Sequence, residues 1–354
     1  MIVSRTPFRI SFFGGGTDYP AWYREHGGAV LAASIDKYCY LTCRYLPPFF
    51  EHRYRVVYSK IDTCHSIEEI THPSAREVLR FMNIERGVEI HHDGDLPARS
   101  GMGSSCSFTV GLLHALHALK GQMPSKHQLA LESIHIEQDL LKETVGSQDQ
   151  VLAAYGGLNQ VTFHPQGEIT VHPLTLSRER ITALNSHLLL FYTGIKRTAE
   201  DVAKSYVNNI ADKKRQLKIM RDLVDQSAAL LNSDQDLSGF GRLLHEAWQA
   251  KRSLSTQVTN SHVDEIYDRA RAAGALGGKL TGAGGGGFML LFAPPEQHEA
   301  IREQLNTLIH VPFQFEFNGS QIIFFDHEVD YSAAENTRAT QNIRAFRELT
   351  HSQI

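Results

Sequence analysis

Leu96-Pro97-Ala98-Arg99-Ser100-Gly101-Met102-Gly103-Ser104-Ser105-Cys106-Ser107 runs straight into an apolar stretch of helical character, Phe108 to Leu119. Gly101 and Gly103 have access to backbone angles closed to other residues, and they place no side chain in the path of a ligand. Successive N–H groups of such a loop can converge on one point, and the helix start adds its partial positive charge. Ser104, Ser105 and Ser107 offer hydroxyls to phosphate oxygens or a metal ion. The stretch reads as a polyphosphate cradle. The same letters also fit an ordinary glycine turn closed by a serine N-cap.

Two other phosphate-binding patterns do not fit. A Walker loop needs Gly-Lys-Ser/Thr four residues after a glycine, and no such string occurs; a dinucleotide fingerprint would need glycine where Cys106 stands. The second glycine run, Gly282-Ala283-Gly284-Gly285-Gly286-Gly287, spells that fingerprint but leads into Phe288-Met289-Leu290-Leu291-Phe292. That short apolar run reads as a strand, whereas a dinucleotide site requires a helix there.

Working outward, 354 residues are ample for two domains, and 42% hydrophobic with 21% charged residues is a globular composition. A net charge of −4 argues against a nucleic-acid partner. No apolar run approaches membrane-spanning length, and the N-terminus enters strand-like sequence directly, so no membrane association is expected. Cys39, Cys43, Cys64 and Cys106 are too few for a disulfide scaffold and lack zinc spacing. The cytoplasm is the expected compartment, and a homodimer the expected assembly on frequency alone. The scattered histidines form no His-Glu-x-x-His pair and read as surface or packing residues.

Along the chain, Ile2 to Phe13 reads as a strand broken by Gly14-Gly15-Gly16-Thr17-Asp18-Tyr19-Pro20, a turn that lets something approach the backbone. Ala29 to Tyr45, Tyr54 to Tyr58 and Val88 to His92 follow as strands, with a short helix over Ser74 to Met82. Gln128 to Lys142 has helical period, with Glu137 on the stripe shared by Ile134 and Leu141. A carboxylate there is either paired, holding a cation, or reaching water from the stripe edge. Ser147 and Gln150 spell a capping box, placing Asp149 in a first helical turn, where it serves as a general base or complements the helix dipole. Leu158 to Phe163 and Glu168 to His172 read as a hairpin. Helical stretches dominate after His187 to Tyr192, so a boundary is expected near 173–186.

Three motifs now stand in order: Arg9 through Gly14-Gly15-Gly16-Thr17-Asp18-Tyr19, Pro97 through Ser107, and Lys279 through Gly287. Together they resemble the three signatures of the GHMP small-molecule kinases, over nearly the whole chain. The resemblance implies an α/β (α+β), two-domain fold. Residues 1–178 would form an N-terminal domain like ribosomal protein S5 domain 2, and 179–354 a ferredoxin-like C-terminal domain, with the site between them. It implies ATP and Mg²⁺ as cofactors and a small-molecule sugar phosphate as acceptor. Pro97, Arg99, Ser100, Gly101, Met102, Gly103, Ser104, Ser105, Cys106 and Ser107 would wrap the ATP phosphates, and Ser105 with Glu137 would hold the ion. Asp149, in a Gly-Ser-Gln-Asp-Gln setting similar to that of galactokinases, would take the proton from the attacking hydroxyl, with Arg9 nearby. Gly16, Thr17 and Asp18 would meet the acceptor, and Thr281, Gly282, Ala283, Gly284 and Gly285 would support the cradle and line the acceptor side. Cys106 departs from the usual alanine or serine.

Within that family the wording Arg5 to Tyr19 and Arg99 to Leu113 is similar to the kinases acting on D-glycero-D-manno-heptose 7-phosphate. Such a substrate carries a remote phosphate and calls for cations away from ATP. Lys196-Arg197 is the first candidate clamp and Arg99 the second; either is equally an ordinary solvated charge. The rivals are a fucose- or galactose-type sugar kinase and a catalytically silent sugar–nucleotide sensor.

Overall fold

The computed structural model describes residues 1–50, 52–98, 100–195, 199–327, 329 and 331–341. Its strands are β1 (Ile2–Phe13), β2 (Gly28–Tyr45), β3 (Tyr54–Val57), β4 (Ile61–Cys64), β5 (Val88–Gly94), β6 (Leu158–Phe163), β7 (Ile169–Pro173), β8 (Leu188–Tyr192), β9 (Gly277–Leu280), β10 (Phe288–Phe292), β11 (Ile309–His310) and β12 (Gln321–Phe325). They form two sheets. The larger runs β12-β1-β2-β5-β3-β4, with the β6–β7 hairpin attached to β2. The smaller is antiparallel, β11-β8-β10-β9. This mixed arrangement of helix and sheet agrees with the α/β (α+β) class that the resemblance implied.

The 18-residue β2 pairs with β5 through its second half and with β6 through its first. Register shifts in its pairing with β1, between Pro7 and Phe8 and between Ser11 and Phe13, accompany this change of neighbour. From Thr6 onward β1 is buried on both faces. One face packs on the helix Ser104–Leu119, whose long apolar run is almost wholly inside. Gly111 permits that approach: a Cβ there would lie 2.8 Å from Thr6 Oγ1. Ser4 donates to the Gly111 carbonyl at 2.8 Å and Ser107 to the Pro7 carbonyl at 2.9 Å. At the far end of β1, Phe12 and Phe13 meet Phe240 of the helix Ser238–Arg252 edge-on, with centroids 5.4 and 5.1 Å apart. The strand carrying Arg9 is thus gripped by elements from both halves of the sequence.

Several elements differ from the sequence reading. β12, though it lies late in the sequence, pairs antiparallel with the Ile2 to Arg5 end of β1 and so belongs to the larger sheet. The chain after β8, whose run Ala199 to Leu231 reads from sequence as one long helical segment, instead forms helices Ala199–Val207 and Lys214–Leu231 around a short 3₁₀ turn, Ile210–Lys213. The helix over Gln128 to Lys142 is α-helical only through Lys126–Ile134, then widens into a π-helical turn, His135–Leu140. Among the described residues no helix is long and apolar enough to cross a membrane.

Candidate active site

The phosphate-loop candidate closes on Gly103, which is left-handed at φ 76°, and the helix begins at Ser104 with no side-chain cap. The serine N-cap reading is therefore set aside: glycine makes the turn, and the serines lie within the first helical turn. Their fates differ. Ser105 is exposed, Ser104 half-exposed and Ser107 buried with its hydroxyl engaged by β1. Ser107 thus helps hold the loop in place, and its hydroxyl is not presented to a ligand. Ser100 is 1% exposed, and its Oγ has no hydrogen-bond partner among the described residues. The Met102 side chain is in the core while its carbonyl accepts the Arg9 N–H at 3.2 Å. Pro97 is half-buried just ahead of the loop.

Arg9 reaches from the middle of β1 to two elements distant in sequence. Its Nε and Nη2 donate to Oδ1 and Oδ2 of Asp149 at 2.6 and 2.5 Å, and its Nη1 donates to the Gly101 carbonyl at 2.8 Å. This forked pair fixes the carboxylate in direction as well as distance. Asp149 stands in the first turn of the helix Gln148–Tyr155 and is 20% exposed, against 5% for the Arg9 side chain. Gly103 lies beside it: a Cβ there would be 3.4 Å from Asp149 Oδ2. The structure thus joins Arg9, Asp149, Gly101 and Gly103. The expected capping box does not form, since the Gln150 amide points to Glu137 instead and Ser147 accepts from Gln138.

Glu137 is fully buried, so the water-reaching alternative falls. The π-helical turn is the cause: it rotates Ile136 and Glu137 inward and leaves Ile134 and Leu141 at half burial. Its carboxylate accepts from Cys106 Sγ at 3.1 Å, Thr109 Oγ1 at 2.8 Å and Gln150 Nε2 at 2.5 Å. Burial pushes it up to about 7, the nearby Glu143 adding to the effect while these three donors oppose it. The Cys106 thiol, where the resemblance leads one to expect alanine or serine, points at Glu137.

Asp18 is 1% exposed and accepts from the Gly16 N–H at 2.8 Å and from Gln148 Nε2 at 2.9 Å. Burial, then the charge of Asp149, raises its affinity for a proton. Gly146 is required beside it, because a Cβ there would fall 1.9 Å from Asp18 Oδ2. Thr17 is wholly buried, its hydroxyl shared between the carbonyls of Gly14 and Ala29. It shapes the turn and offers no side-chain surface to an acceptor, a correction to the expectation from sequence.

The second glycine run packs backbone to backbone on the first. A Cβ on Gly282 would meet Gly101 Cα at 2.6 Å, and one on Gly287 would meet the Ser100 carbonyl at 2.1 Å. Thr281 is buried, with its hydroxyl on the Phe288 carbonyl. Gly284 and Gly285 are buried and Ala283 half-buried. Support of the cradle is what this geometry provides. Arg99, Lys196 and Arg197, the candidate cations for a remote phosphate, lie outside the described residues.

Two groups were missed by sequence reasoning. Lys279 and Lys251 are buried beside the site, Lys279 donating to the Phe12 carbonyl at 2.9 Å. Burial, followed by the Arg9 charge, brings Lys279 down to about 7. No local pattern marks a lysine that tertiary packing will bury. A cavity of about 440 Å³ elsewhere, lined by Leu46, Pro48, Phe50, Arg53, Glu335 and Arg338 among others, contains none of these groups.

Two family models match the chain: the GHMP kinases N terminal domain over residues 70–157 and the GHMP kinases C terminal domain over 226–310. A D-glycero-alpha-D-manno-heptose 7-phosphate kinase of Campylobacter jejuni is 27% identical over 311 residues, covering 83% of this chain and 90% of its own. The bifunctional fucokinase/GDP-fucose pyrophosphorylase of Arabidopsis thaliana is 26% identical over 328 residues, covering 84% of this chain and 30% of its own. The crystal structure of a D-glycero-D-manno-heptose 1-phosphate kinase from Bacteroides thetaiotaomicron superposes with a TM-score of 0.76. It is 23% identical and covers 92% of this chain and all of that one, a likeness of fold.

Proposed function

Because the chain belongs to the GHMP kinases, enzymes that phosphorylate hydroxyl groups, we propose that its acceptor is D-glycero-D-manno-heptose 7-phosphate. The anomeric hydroxyl would receive the terminal phosphoryl group of ATP, giving the 1,7-bisphosphate used towards GDP-heptose. The observation that carries the mechanism is the Arg9–Asp149 pair closed onto the Gly101 carbonyl. It sets a carboxylate against the loop whose amides would hold the phosphates. A carboxylate has about four lone-pair directions, and Arg9 uses two. Those remaining, on a side chain that reaches the surface, suit a proton acceptor for the incoming alcohol.

In this reading the amides from Gly101 to Cys106 receive the triphosphate at the helix start. Asp149 accepts the hydroxyl proton as the new P–O bond forms and the bond to ADP breaks. Arg9 holds that carboxylate in place and adds positive charge beside the transferring group. Asp18, fixed by Gly16 and Gln148, shapes the acceptor side. A divalent ion, when bound, would supply positive charge against the phosphates. Its proposed ligands are Glu137 and Ser105. Oxygen donors and a buried carboxylate lifted to about 7 with no cation paired to it among the described residues fit such an ion. Lys196 and Arg197, with Arg99 second, are the proposed clamp for the remote phosphate. Residues 1–178 and 179–354 are the proposed domains, with β12 returning across that division.

A coupled ADP-release assay tests the acceptor. Turnover with heptose 7-phosphate, and little with unphosphorylated heptose, fucose or galactose, is the expected result. Preference for a sugar without phosphate would move the chain to the fucose or galactose type, the former named in one matched relative. ATP binding with no release of ADP for any sugar would support a sensor.

A further inference from the structure

Lys251 lies on the helix Ser238–Arg252 and is 5% exposed. Its ammonium donates to the Leu280 carbonyl at 3.0 Å and, at still closer range, to the Gly282 carbonyl. Among the described residues no carboxylate pairs with it. Burial, then Lys279 and Arg9, makes its proton easier to lose, while Asp18 and Asp149 act weakly the other way. A buried ammonium without an acid partner is costly relative to a packed apolar side chain of similar length. Methionine would fill this position without that cost. The charge therefore has a use other than stability.

The two carbonyls it holds flank Thr281, and Thr281 is the residue on which the phosphate loop rests. A Cβ on Gly101 would lie 2.8 Å from the Thr281 carbonyl, and one on Gly282 would lie 2.6 Å from Gly101 Cα. Gly101 in turn bonds Arg9 through its carbonyl. One ammonium thus tethers the backbone from Leu280 to Gly282, and that backbone seats Gly101. We propose that Lys251 is a positioning residue for the nucleotide: it holds the second glycine loop in the place that keeps the phosphate-loop amides convergent. The inference rests on the reading of Gly101 to Ser107 as an ATP site and adds to it a residue that touches neither ATP nor acceptor.

The test uses the full chain with Lys251→Met, measuring melting temperature, the affinity of a non-hydrolysable ATP analogue and KM for each substrate. The variant is expected to melt no lower than the wild type. It should bind the analogue about tenfold more weakly, the scale of one lost charge-assisted contact, with the acceptor KM unchanged. A cycle with Gly282→Ala should be non-additive for analogue affinity, since both changes act through one contact. If Lys251→Met does not fold, Lys251→Leu, which likewise lacks a donor, takes its place in every reading. Unchanged analogue affinity, equal losses for ATP and acceptor, or strict additivity would overturn the positioning role. A wild-type protein that binds no analogue would instead overturn the ATP-site reading on which it rests.

Discussion

The two glycine loops are alike in letters and opposite in surroundings. The first, around Gly101 and Gly103, continues into a helix and has acids beside it: Asp149 against Gly103, and Glu137 under Cys106. The second, Gly282 to Gly287, joins β9 to β10 and has lysines beside it, Lys251 on its carbonyls and Lys279 at its approach. Glycine serves amide convergence in the first and close backbone contact in the second. The element that follows decides which, because a helix start leaves several N–H groups unpaired at one point, whereas a strand pairs its own in the sheet. In the proposed function the acids would address an alcohol and a cation, whereas the lysines hold backbone carbonyls.

The largest effect expected from this division is on the acidic side. Asp149→Asn should keep nucleotide affinity by calorimetry yet lose roughly 10²–10⁴ in turnover, the usual scale for a general base; near-wild-type turnover would leave Asp149 as a dipole complement. On the lysine side the expected effect is on stability. Lys279 holds its proton less tightly when folded, about 7 against an ordinary 10.5. Its contribution is therefore fully present above 10.5 and lost as pH falls through about 7. Relative to Lys279→Met, the wild type should gain up to several kcal/mol in urea unfolding between about pH 7 and about pH 10. A constant difference between the two would show that this amine does not change protonation with folding. The smallest effect is expected at Glu137→Gln, where half-saturation by Mg²⁺ in the turnover assay should rise about tenfold. A superimposable magnesium titration would remove Glu137 from the ion and make it a buried structural acid.

Composition and local order made much of this visible in advance. β1 follows from its β-branched and aromatic run, the phosphate loop from glycines ahead of an apolar helix, and Asp149 from its place in a first helical turn. Strand β9 was not visible, since Gly277-Gly278-Lys279-Leu280 has neither alternation nor β-branching and owes its strand form to pairing with β10. The return of β12 to β1 joins residues over 300 positions apart, and no short-range pattern encodes it.

Within the chain's letters lay the elements that neighbouring residues specify: periodicity, turn chemistry, and the order of three glycine-bearing motifs. Left to packing was everything that depends on distance through space. The Arg9–Asp149 fork spans 140 residues, the burial of Glu137 turns on a widened helical turn, and the two lysines acquire meaning only from backbone carbonyls distant in sequence. Charge is a property of a residue, but its energy depends on which groups and how little water surround it, and those are set when the chain closes on itself.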